Sequence, residues 1–520
     1  MGYVEYLADE NGPRLAASPE YQRAANWTVH TLKKAGIQNA HIDPSGDFGR
    51  SWSWSSIAVQ MLTPTETTIN AVPLAWSDGT DGTLEASAIY APLWEDDNDP
   101  DQFDLLRLAE RINIYKKQYS GKLSNKVVLL SAKRTFELPS ENEIQRWSES
   151  DLTEMLNARD PLTEDLYQWP RLSYPLDTAT RWQMFEIVPI EIQENYDDRK
   201  RVIMNRLVAF LRSEGVAAVM MTNTDGNGGV IFAEEFGSWK PSAPIPPTAV
   251  QVMPEHYNRL VRLVQKDIAV TLSVNVDASF PQQDAQLMNV LAELTGNKKT
   301  TEIVMMGAHL DSWHSGTGAT DNATGVAIVM EAMRILRTLD LKMHRTVRLA
   351  LWDGEEVGLL GSRAYVRKYL GDSINMQLKP QHQNISAYFN IDTGSGKTRG
   401  ILTQGNDMVG PIFEQVMQPF KEHGISIISP RNDWGTDHMA FDAVGLPAFN
   451  LIQDQLDYWS HTHHSNIDTL DHVVAKDLMV SAAFLAALVY HTATTENMLP
   501  REPLPRPLPA PTPLPEILRY

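Results

Sequence analysis

Short apolar runs separated by helical patterns dominate the second half of the chain. The runs are TEIVMMGAH (301–309), RTVRLALWD (345–353), SAYFNID (386–392) and LPAFNLIQD (446–454). Each has the length and the apolar composition of a buried strand, and the stretches between them follow helical spacing. This alternation predicts an α/β fold over about 283–498, with a mostly parallel mixed sheet and helices on both faces.

The first half of the chain shows a second set of strands and helices. A helical stretch with Ala25, Val29 and Leu32 near helical spacing precedes the strand-like SSIAVQML (55–62). KVVLLSAK (126–133) and VAAVMMTN (216–223) also read as strands, with helices predicted at about 198–213 and 254–266. The polar, proline-punctuated stretch 134–196 predicts long loops with short helices.

These patterns divide the chain into four parts. We predict an N-terminal part of the main domain (1–69), an inserted domain (70–267), the rest of the main domain (268–499) and a tail (500–520). The tail has proline at nearly every second position from Pro503 to Pro515. It therefore cannot form helix or sheet, and we expect extended polyproline that lies along the surface or acts as a spacer.

Charge and cysteine content limit the partners and the ligands. The sequence has 45 Lys and Arg against 65 Asp and Glu, for a formal charge of −20, and no cysteine. Nucleic acids and anionic membranes require clustered basic side chains, so we expect neither as a partner. No apolar run approaches the roughly 18 residues of a membrane span. Without cysteine, any metal must be held by His, Asp and Glu, which favours hard or borderline ions.

Residues with metal-binding side chains follow three of the apolar runs directly. His309 ends the first run, Glu355 and Glu356 come just after the second, and Asp392 ends the third. Ligands bind at the carboxyl edge of such sheets, so these side chains should meet. Taken alone, each has a simpler explanation: a satisfied histidine, for example, or a solvated acidic turn. Their shared position at strand ends is what favours a site.

Two further segments extend this set. Asp321 stands at the start of the helical stretch VAIVMEAMRIL, where a lone Asp is explained as a helix N-cap. His461, His463 and His464 crowd together after the last apolar run, in a chain with only 14 His. A polar loop with chance histidines is the alternative for that segment.

The ordered motifs resemble the M28 family of metallopeptidases. They are GAHLDS, ATDNATG, WDGEEVGLLGS, NIDTGSG, GTDHMAF and HHSNIDT. GPRLAASPEYQRAANW and the helix that ends in NMLPR resemble one branch, the carboxypeptidase Q group. The resemblance covers most of 12–500, except 134–196 and the tail.

This resemblance implies two zinc ions per chain, with one ligand shared between them. The ligands of the first zinc would be His309, Asp321 and Asp392, and those of the second Asp321, Glu356 and His464. His464 is preferred over its two neighbours because the family spacing H-x-x-x-D-T is met by His464, Asp468 and Thr469.

Catalytic roles follow from the same resemblance. Glu355 would be the general base, which takes a proton from the attacking water and passes it to the leaving amine. Asp311 would orient the ring of His309. His463 stands where related enzymes often have a tyrosine, and it could donate a hydrogen bond to the oxyanion or be a structural contact.

The inserted domain resembles the protease-associated insert of this branch, which would lie over the site as a lid and restrict substrate length. Its alternative is a stabilising domain with no substrate contact. We expect Thr436 and Asp437 to contact substrate. Glutamate-specific relatives use arginines in the segment that corresponds to 432–438, and this chain has none there. The resemblance therefore disfavours a preference for acidic side chains and favours neutral dipeptides.

The leading hypothesis is an exopeptidase that acts on dipeptides or short peptides with a free N-terminus. The alternatives are a broad aminopeptidase, a one-zinc enzyme similar to glutaminyl cyclase, and a non-catalytic binding protein on the same fold. The expected partner is a peptide or dipeptide, and the sequence allows a homodimer. No secretory leader stands at 1–12, but a mature exported protein would look the same, and we favour a secreted or periplasmic location.

Overall fold

The computed structural model describes residues 1–96, 99–136, 144–223, 226 and 228–519. The strands are β1 (His41–Gly49), β2 (Ser53–Thr63), β3 (Thr67–Thr68), β4 (Ala71–Pro73), β5 (Leu84–Tyr90), β6 (Lys126–Leu129), β7 (Ala218–Met221), β8 (Ala249–Val252), β9 (Thr271–Ser279), β10 (Ala285–Leu294), β11 (Lys299–His309), β12 (Arg345–Trp352), β13 (Gly371–Asp372), β14 (Gln377–Leu378), β15 (Ile385–Asn390), β16 (Thr398–Leu402), β17 (Ile427–Ser429) and β18 (Ala448–Gln453). The α-helices are α1 (Gly2–Glu5), α2 (Pro19–Lys34), α3 (Leu105–Tyr119), α4 (Glu149–Glu154), α5 (Thr178–Ile187), α6 (Ile190–Ser213), α7 (Pro254–Val264), α8 (Thr324–Leu339), α9 (Leu360–Tyr369), α10 (Gly410–Met417), α11 (His438–Asp442) and α12 (Ala475–Thr494).

The first large sheet has the strand order β1-β10-β12-β11-β15-β18-β16-β17. Its centre is parallel, because β11 pairs in parallel with both β12 and β15, and β15 with β18. Antiparallel pairs lie at β1–β10, β10–β12 and β16–β18. The predicted mostly parallel mixed sheet is confirmed.

Alternating side chains of β11 bury into two different cores. Val304 and Met306 pack in a core with α2, α8 and α12, whereas Met305 packs in a core with α9 and α11 on the opposite face. This period-two alternation places helices on both faces of the sheet. α12 is long and apolar enough to cross a membrane by length and composition, yet 61% of its most apolar window is buried, and it packs in this core.

The second large sheet has the strand order β3-β2-β9-β5-β6-β7-β8-β4. Helices α3 and α6 cover one face, and α7 covers the other. We refer to residues 53–279 as the insert, and to residues 1–52 and 280–499 as the main body.

The predicted limits of the inserted domain, 70 and 267, fall inside this second sheet. β2 pairs with β9 along its whole length, from Ser53 opposite Ser279 to Thr63 opposite Thr271. The segment that includes SSIAVQML therefore belongs to the insert and not to the N-terminal part of the main domain. The apolar pattern identified the strand, but it carries no information on which sheet the strand joins.

The proline-rich tail lies on the surface and contacts both the main body and the insert. It leaves the main body beside β15, where the Arg501 guanidinium donates to the Ile385 carbonyl. The Leu508 N–H then donates to the Ile374 carbonyl at 2.8 Å. At its far end Leu518, 7% exposed, packs into the core between α3 and α6 of the insert. Between Pro500 and Pro515 the tail has neither helix nor strand.

Candidate metal centre

Parallel pairing brings the ends of three strands to one edge of the first sheet. His309 is the last residue of β11 and lies opposite Trp352, the last residue of β12. Glu355 and Glu356 follow three and four residues after that point, in the turn that leads to α9. On the other side of β11, β15 ends two residues before Asp392. The strand register therefore sets the four side chains beside one another.

His309, Asp321 and Asp392 form a first group of potential metal ligands. The Nε2 atom of His309 lies 3.2 Å from Oδ1 of Asp321 and 3.1 Å from Oδ1 of Asp392. One ligand atom from each of the three residues lies within 4.8 Å of the others. Asp321 comes from the turn Ala319–Ala323 that precedes α8, where its own backbone is not helical (φ −126°, ψ 88°). The segment before a helix and two strand ends therefore supply this group.

A second group lies on the other side of Asp321. The Nε2 atom of His464 lies 3.6 Å from Oδ2 of Asp321 and 3.0 Å from Oε2 of Glu356. Asp321 therefore turns one carboxylate oxygen toward each histidine. This arrangement, with Asp321 between two groups, matches the shared ligand that the sequence resemblance implies.

The donor set fits divalent zinc. Imidazole nitrogens and carboxylate oxygens are the zinc ligands available to a chain without cysteine. Burial, together with the negative charge of Asp321, raises the pKa of Glu356 to about 8. Burial also raises the pKa of Glu355 well above its usual value, with a contribution from Asp392. Several carboxylates held close together away from water require added positive charge to stay ionised, and bound cations would supply it.

Asp311 supports this site in two ways. Its backbone carbonyl lies 3.0 Å from Nδ1 of His309, closer than its carboxylate, which is 3.6 Å away. The carboxylate instead accepts the backbone N–H groups of Glu355 at 3.2 Å and Glu356 at 3.3 Å. Asp311 therefore contacts the His309 ring most closely through its main chain, and its carboxylate also fixes the turn that carries the two glutamates.

The insert contacts the second group directly through Glu234. Its Oε1 atom lies 2.7 Å from Nδ1 of His464. Around this contact the Ala233 N–H donates to the His464 carbonyl at 3.1 Å, and Ile231 and Asn466 exchange hydrogen bonds. His464 has a φ of 57°, a left-handed conformation that is uncommon outside glycine. These hydrogen bonds hold the residue in that conformation.

Sequence reasoning missed Glu234. It lies 230 residues before its partner in a segment without any recognisable motif, AEEFGSW. Only the packing of the insert against the loop of three histidines creates the contact. An acidic pair in the predicted lid was the only available signal, and it is indistinguishable from a solvated turn.

A cavity of about 550 Å³, the metal cavity, opens onto both groups. The main body lines it with the candidate ligands Asp321, Glu356, Asp392 and His464, and with Glu355, Thr436 and His463. The insert lines it with one face of α6 and with the segment 234–237. A second cavity of about 350 Å³, the side cavity, shares Lys200, Met204, Met221, Glu234 and Glu235 with the first.

Comparison with known proteins matches part of the chain to a peptidase family. Residues 289–489 match the profile of Peptidase family M28. We refer to this part of the chain as the M28 domain, after the profile that it matches. It contains all five candidate metal ligands and Glu355.

Curated proteins that are similar to this chain include carboxypeptidase Q from Bos taurus and from Homo sapiens. The bovine protein is 33% identical and the human protein 31% identical, each over 258 residues, which is 49% of this chain and 52% of the relative. The matched segment thus spans about half the length of these relatives.

Solved structures of similar fold cover nearly the whole chain, insert included. The peptidase M28 precursor from Shewanella amazonensis SB2B has a TM-score of 0.64 at 21% identity, and covers 97% of this chain and 95% of its own. A zinc aminopeptidase from Bacillus subtilis has a TM-score of 0.54 at 16% identity, and covers 95% of this chain and 94% of its own. At these identities the likeness establishes the fold.

The histidine loop of the M28 domain presents two imidazoles side by side. The His463 ring stacks on the His464 ring with 3.6 Å between centroids and an angle of 24°. Burial and the neighbouring charge of His464 lower the pKa of His463 to about 3, so its ring is neutral. A ring nitrogen of His463 also lies within 4.8 Å of ligand atoms of Asp321 and His464. Geometry alone therefore leaves His463 either as a hydrogen-bond donor or as a further ligand.

Thr436 and Asp437 occupy different positions relative to the metal cavity. Thr436 lines it, and its hydroxyl accepts a hydrogen bond from Asn390 Nδ2 at 2.8 Å. Asp437 is fully buried and lies outside the lining of either cavity. The expectation that Asp437 contacts substrate is wrong for this structure, because its side chain points into the protein, where burial raises its pKa well above the usual value.

Proposed function

We propose that this protein is a two-zinc exopeptidase that hydrolyses dipeptides or short peptides with a free N-terminus. The observation that carries the proposal is the position of Asp321, whose two carboxylate oxygens face two separate histidine-containing groups. A single-ion site would need only one of these groups. The M28 profile match and the zinc aminopeptidase of similar fold support zinc as the metal.

The chain would hold one ion with His309, Asp321 and Asp392, and the other with Asp321, Glu356 and His464. Zinc bound at these positions supplies Lewis acidity, which polarises a peptide carbonyl and lowers the pKa of a bound water. The burial of His309 and Asp321, at 1% and 4% exposure, keeps bulk water away from the shared ligand and strengthens electrostatic interactions there.

Glu355 is positioned for proton transfer. Its carboxylate lines the metal cavity beside the candidate ligands, and it belongs to neither ligand group. Its backbone is fixed by the Asp311 carboxylate. We assign it the role of general base toward the attacking water and of general acid toward the leaving amine.

His463 is the second group that we assign to the reaction. Its ring lines the metal cavity and is held by stacking on His464 and by contact with Trp459, at 4.7 Å between centroids. A ring N–H that points to the cavity can donate to the oxygen of the scissile carbonyl as negative charge develops there.

The side cavity favours one alternative, an aminopeptidase of broader peptide length. It continues from the metal cavity past Glu234 and Glu235, and could take the further residues of a longer peptide. The one-zinc cyclase and the non-catalytic binding protein gain no such support, because the chain carries a His, Asp or Glu at all six predicted ligand and base positions.

Peptides varied in length and blocked at either end test the proposal. Zinc-loaded protein should release an N-terminal residue from free dipeptides and leave N-acetylated peptides intact, as read by mass spectrometry. Elemental analysis of the same sample should give two zinc ions per chain. One ion per chain, or cleavage of N-acetylated peptides at the same rate, would contradict the proposal.

A further inference from the structure

One face of α6 forms the wall of the metal cavity that the insert contributes. Ile190, Gln193, Asp197, Lys200 and Met204 line it, at helical spacings of three and four residues. The neighbouring stripe of α6, with Ile203 and Leu207, is buried in the core of the insert. The side chains of the lining face are therefore held toward the M28 domain by the packing of the helix.

The lining of the metal cavity is strongly acidic. Nine Asp and Glu side chains line it, and the only Lys or Arg side chains in that lining, among the described residues, are Lys200 and Arg201. Three of the nine, Asp321, Glu356 and Asp392, are candidate zinc ligands. Away from the metal ions, an anionic group of a substrate would be repelled by the other six carboxylates, unless a cation is placed to receive it.

Arg201 is already engaged within the insert. Its guanidinium pairs with Asp198 at 3.2 Å and with Glu235 at 3.3 Å, and it stacks over the Trp239 ring at 4.7 Å. These contacts use the Nε and Nη1 donors and one face of the guanidinium. Arg201 therefore fixes the wall and has little capacity left for a ligand.

Lys200 differs from Arg201 in this respect. Within the part of the chain that the structure describes, no salt bridge or hydrogen bond involves its ammonium group, and the residue is exposed. It lines both the metal cavity and the side cavity, together with Glu234. Glu234 also contacts His464 of the second ligand group. Lys200 therefore lies where the metal cavity meets the side cavity, on the insert side of that group.

We propose that Lys200 binds the C-terminal carboxylate of the substrate. This inference rests on the proposed function, and it narrows the substrate class to dipeptides and other peptides short enough to reach Lys200 from the scissile bond. The ammonium group supplies a charge-assisted hydrogen bond to the carboxylate. Away from the metal ions, the six carboxylates of the lining that hold no zinc disfavour any other position for that group.

The test compares a free dipeptide of neutral residues with the same dipeptide carrying a C-terminal amide. For the native protein, KM should be lower for the free acid than for the amide. Lys200→Gln should raise KM for the free acid by about tenfold to a hundredfold, the range expected for one charged hydrogen bond, and leave KM for the amide unchanged. kcat should change little for either substrate, since Lys200 lies away from the reacting bond.

Two further variants distinguish carboxylate binding by Lys200 from a structural distortion of the cavity wall that α6 forms. Lys200→Arg should restore most of the preference for the free acid, since it keeps the positive charge. Lys117→Gln, which removes an exposed lysine from α3 of the same insert, should leave both KM values unchanged. An equal rise of KM for acid and amide in Lys200→Gln would overturn the proposal, because it would indicate a distorted wall.

The same assay distinguishes failure of this inference from failure of the proposed function. If the native protein cleaves the free acid and the amide with equal KM, and Lys200→Gln changes neither KM, the protein is an exopeptidase without the carboxylate site. Native protein that cleaves neither substrate with zinc bound contradicts the proposed function, and the inference falls with it.

Discussion

Glu234 of the insert lies 2.7 Å from Nδ1 of His464, whose Nε2 faces Asp321 and Glu356. A carboxylate on the far nitrogen of a histidine ligand fixes the ring orientation and the tautomer. The M28 domain therefore does not complete its second ligand group alone, because the orienting group comes from the insert.

Glu234→Gln should weaken zinc binding at the second group by about tenfold to a hundredfold, since the neutral amide orients and polarises the ring less well. Competition of the metal-free protein with a chromogenic chelator measures this affinity without relying on activity. Glu235→Gln is the matched control, because Glu235 lines the same cavity with the same charge but pairs with Arg201. Equal weakening in the two variants would argue for a general charge effect and against orientation of His464.

Substitutions of the adjacent residues Glu355 and Glu356 should have different effects on turnover and on zinc content. Glu355→Gln should keep both zinc ions and lower kcat by about a hundredfold to ten-thousandfold, because it removes only the proton acceptor. Glu356→Gln should lower the zinc content as well, because Glu356 belongs to the second ligand group. Elemental analysis and turnover of one dipeptide measure both quantities. Undiminished turnover in Glu355→Gln would remove it from the mechanism.

The buried Arg14 should be a stability determinant of the site. Its guanidinium, in a fully buried side chain, donates to the carbonyls of Leu310 at 2.8 Å and Gly318 at 2.8 Å, which flank His309 and Asp321. Arg14→Met leaves these carbonyls without donors and should lower the free energy of unfolding by about 3 kcal/mol. Thermal and denaturant unfolding measure the loss. Arg23→Met, at an exposed i,i+3 pair with Glu20, should change stability by less than about 0.5 kcal/mol.

The tail should fasten the insert to the main body. Leu518→Ala removes apolar area from the core between α3 and α6 and should cost about 2 kcal/mol. Hydrogen exchange should speed up in α3 and α6, while the exchange of β11 stays unchanged. Leu504→Ala is the control, since Leu504 in the same tail is 54% exposed. Unchanged exchange in α3 and α6 would mean that the tail rests on the surface without stabilising it.

The ligand positions could be predicted because they depend on local pattern and on one rule of sheet geometry. His309 and Asp392 each stand directly after an apolar run, and parallel strands bring such positions to a common edge. The prediction of Asp321 and His464 as ligands also required the family motifs. An Asp at a helix start is otherwise explained as an N-cap, and a loop of three histidines as a chance cluster.

The features that escaped prediction depend on contacts between distant segments. β2 was recognisable as a strand, but its partner β9 lies more than 200 residues later in the chain, and no local pattern reports that pairing. Asp437 lies in the motif GTDHMAF beside Thr436, yet one residue lines the cavity and the next is buried. Sequence spacing cannot resolve which of two adjacent side chains faces outward when the segment is a tight turn into a short helix.

The pairing of Ser53 with Ser279 has a consequence for how such a protein can diversify. The first and last residues of the insert are neighbours in space. The insert is therefore covalently joined to the main body through two adjacent chain crossings. Segments joined in this way tolerate exchange as modules. A new wall for the cavity can thus be acquired in one recombination event, provided that the incoming module carries an acidic side chain where Glu234 now stands.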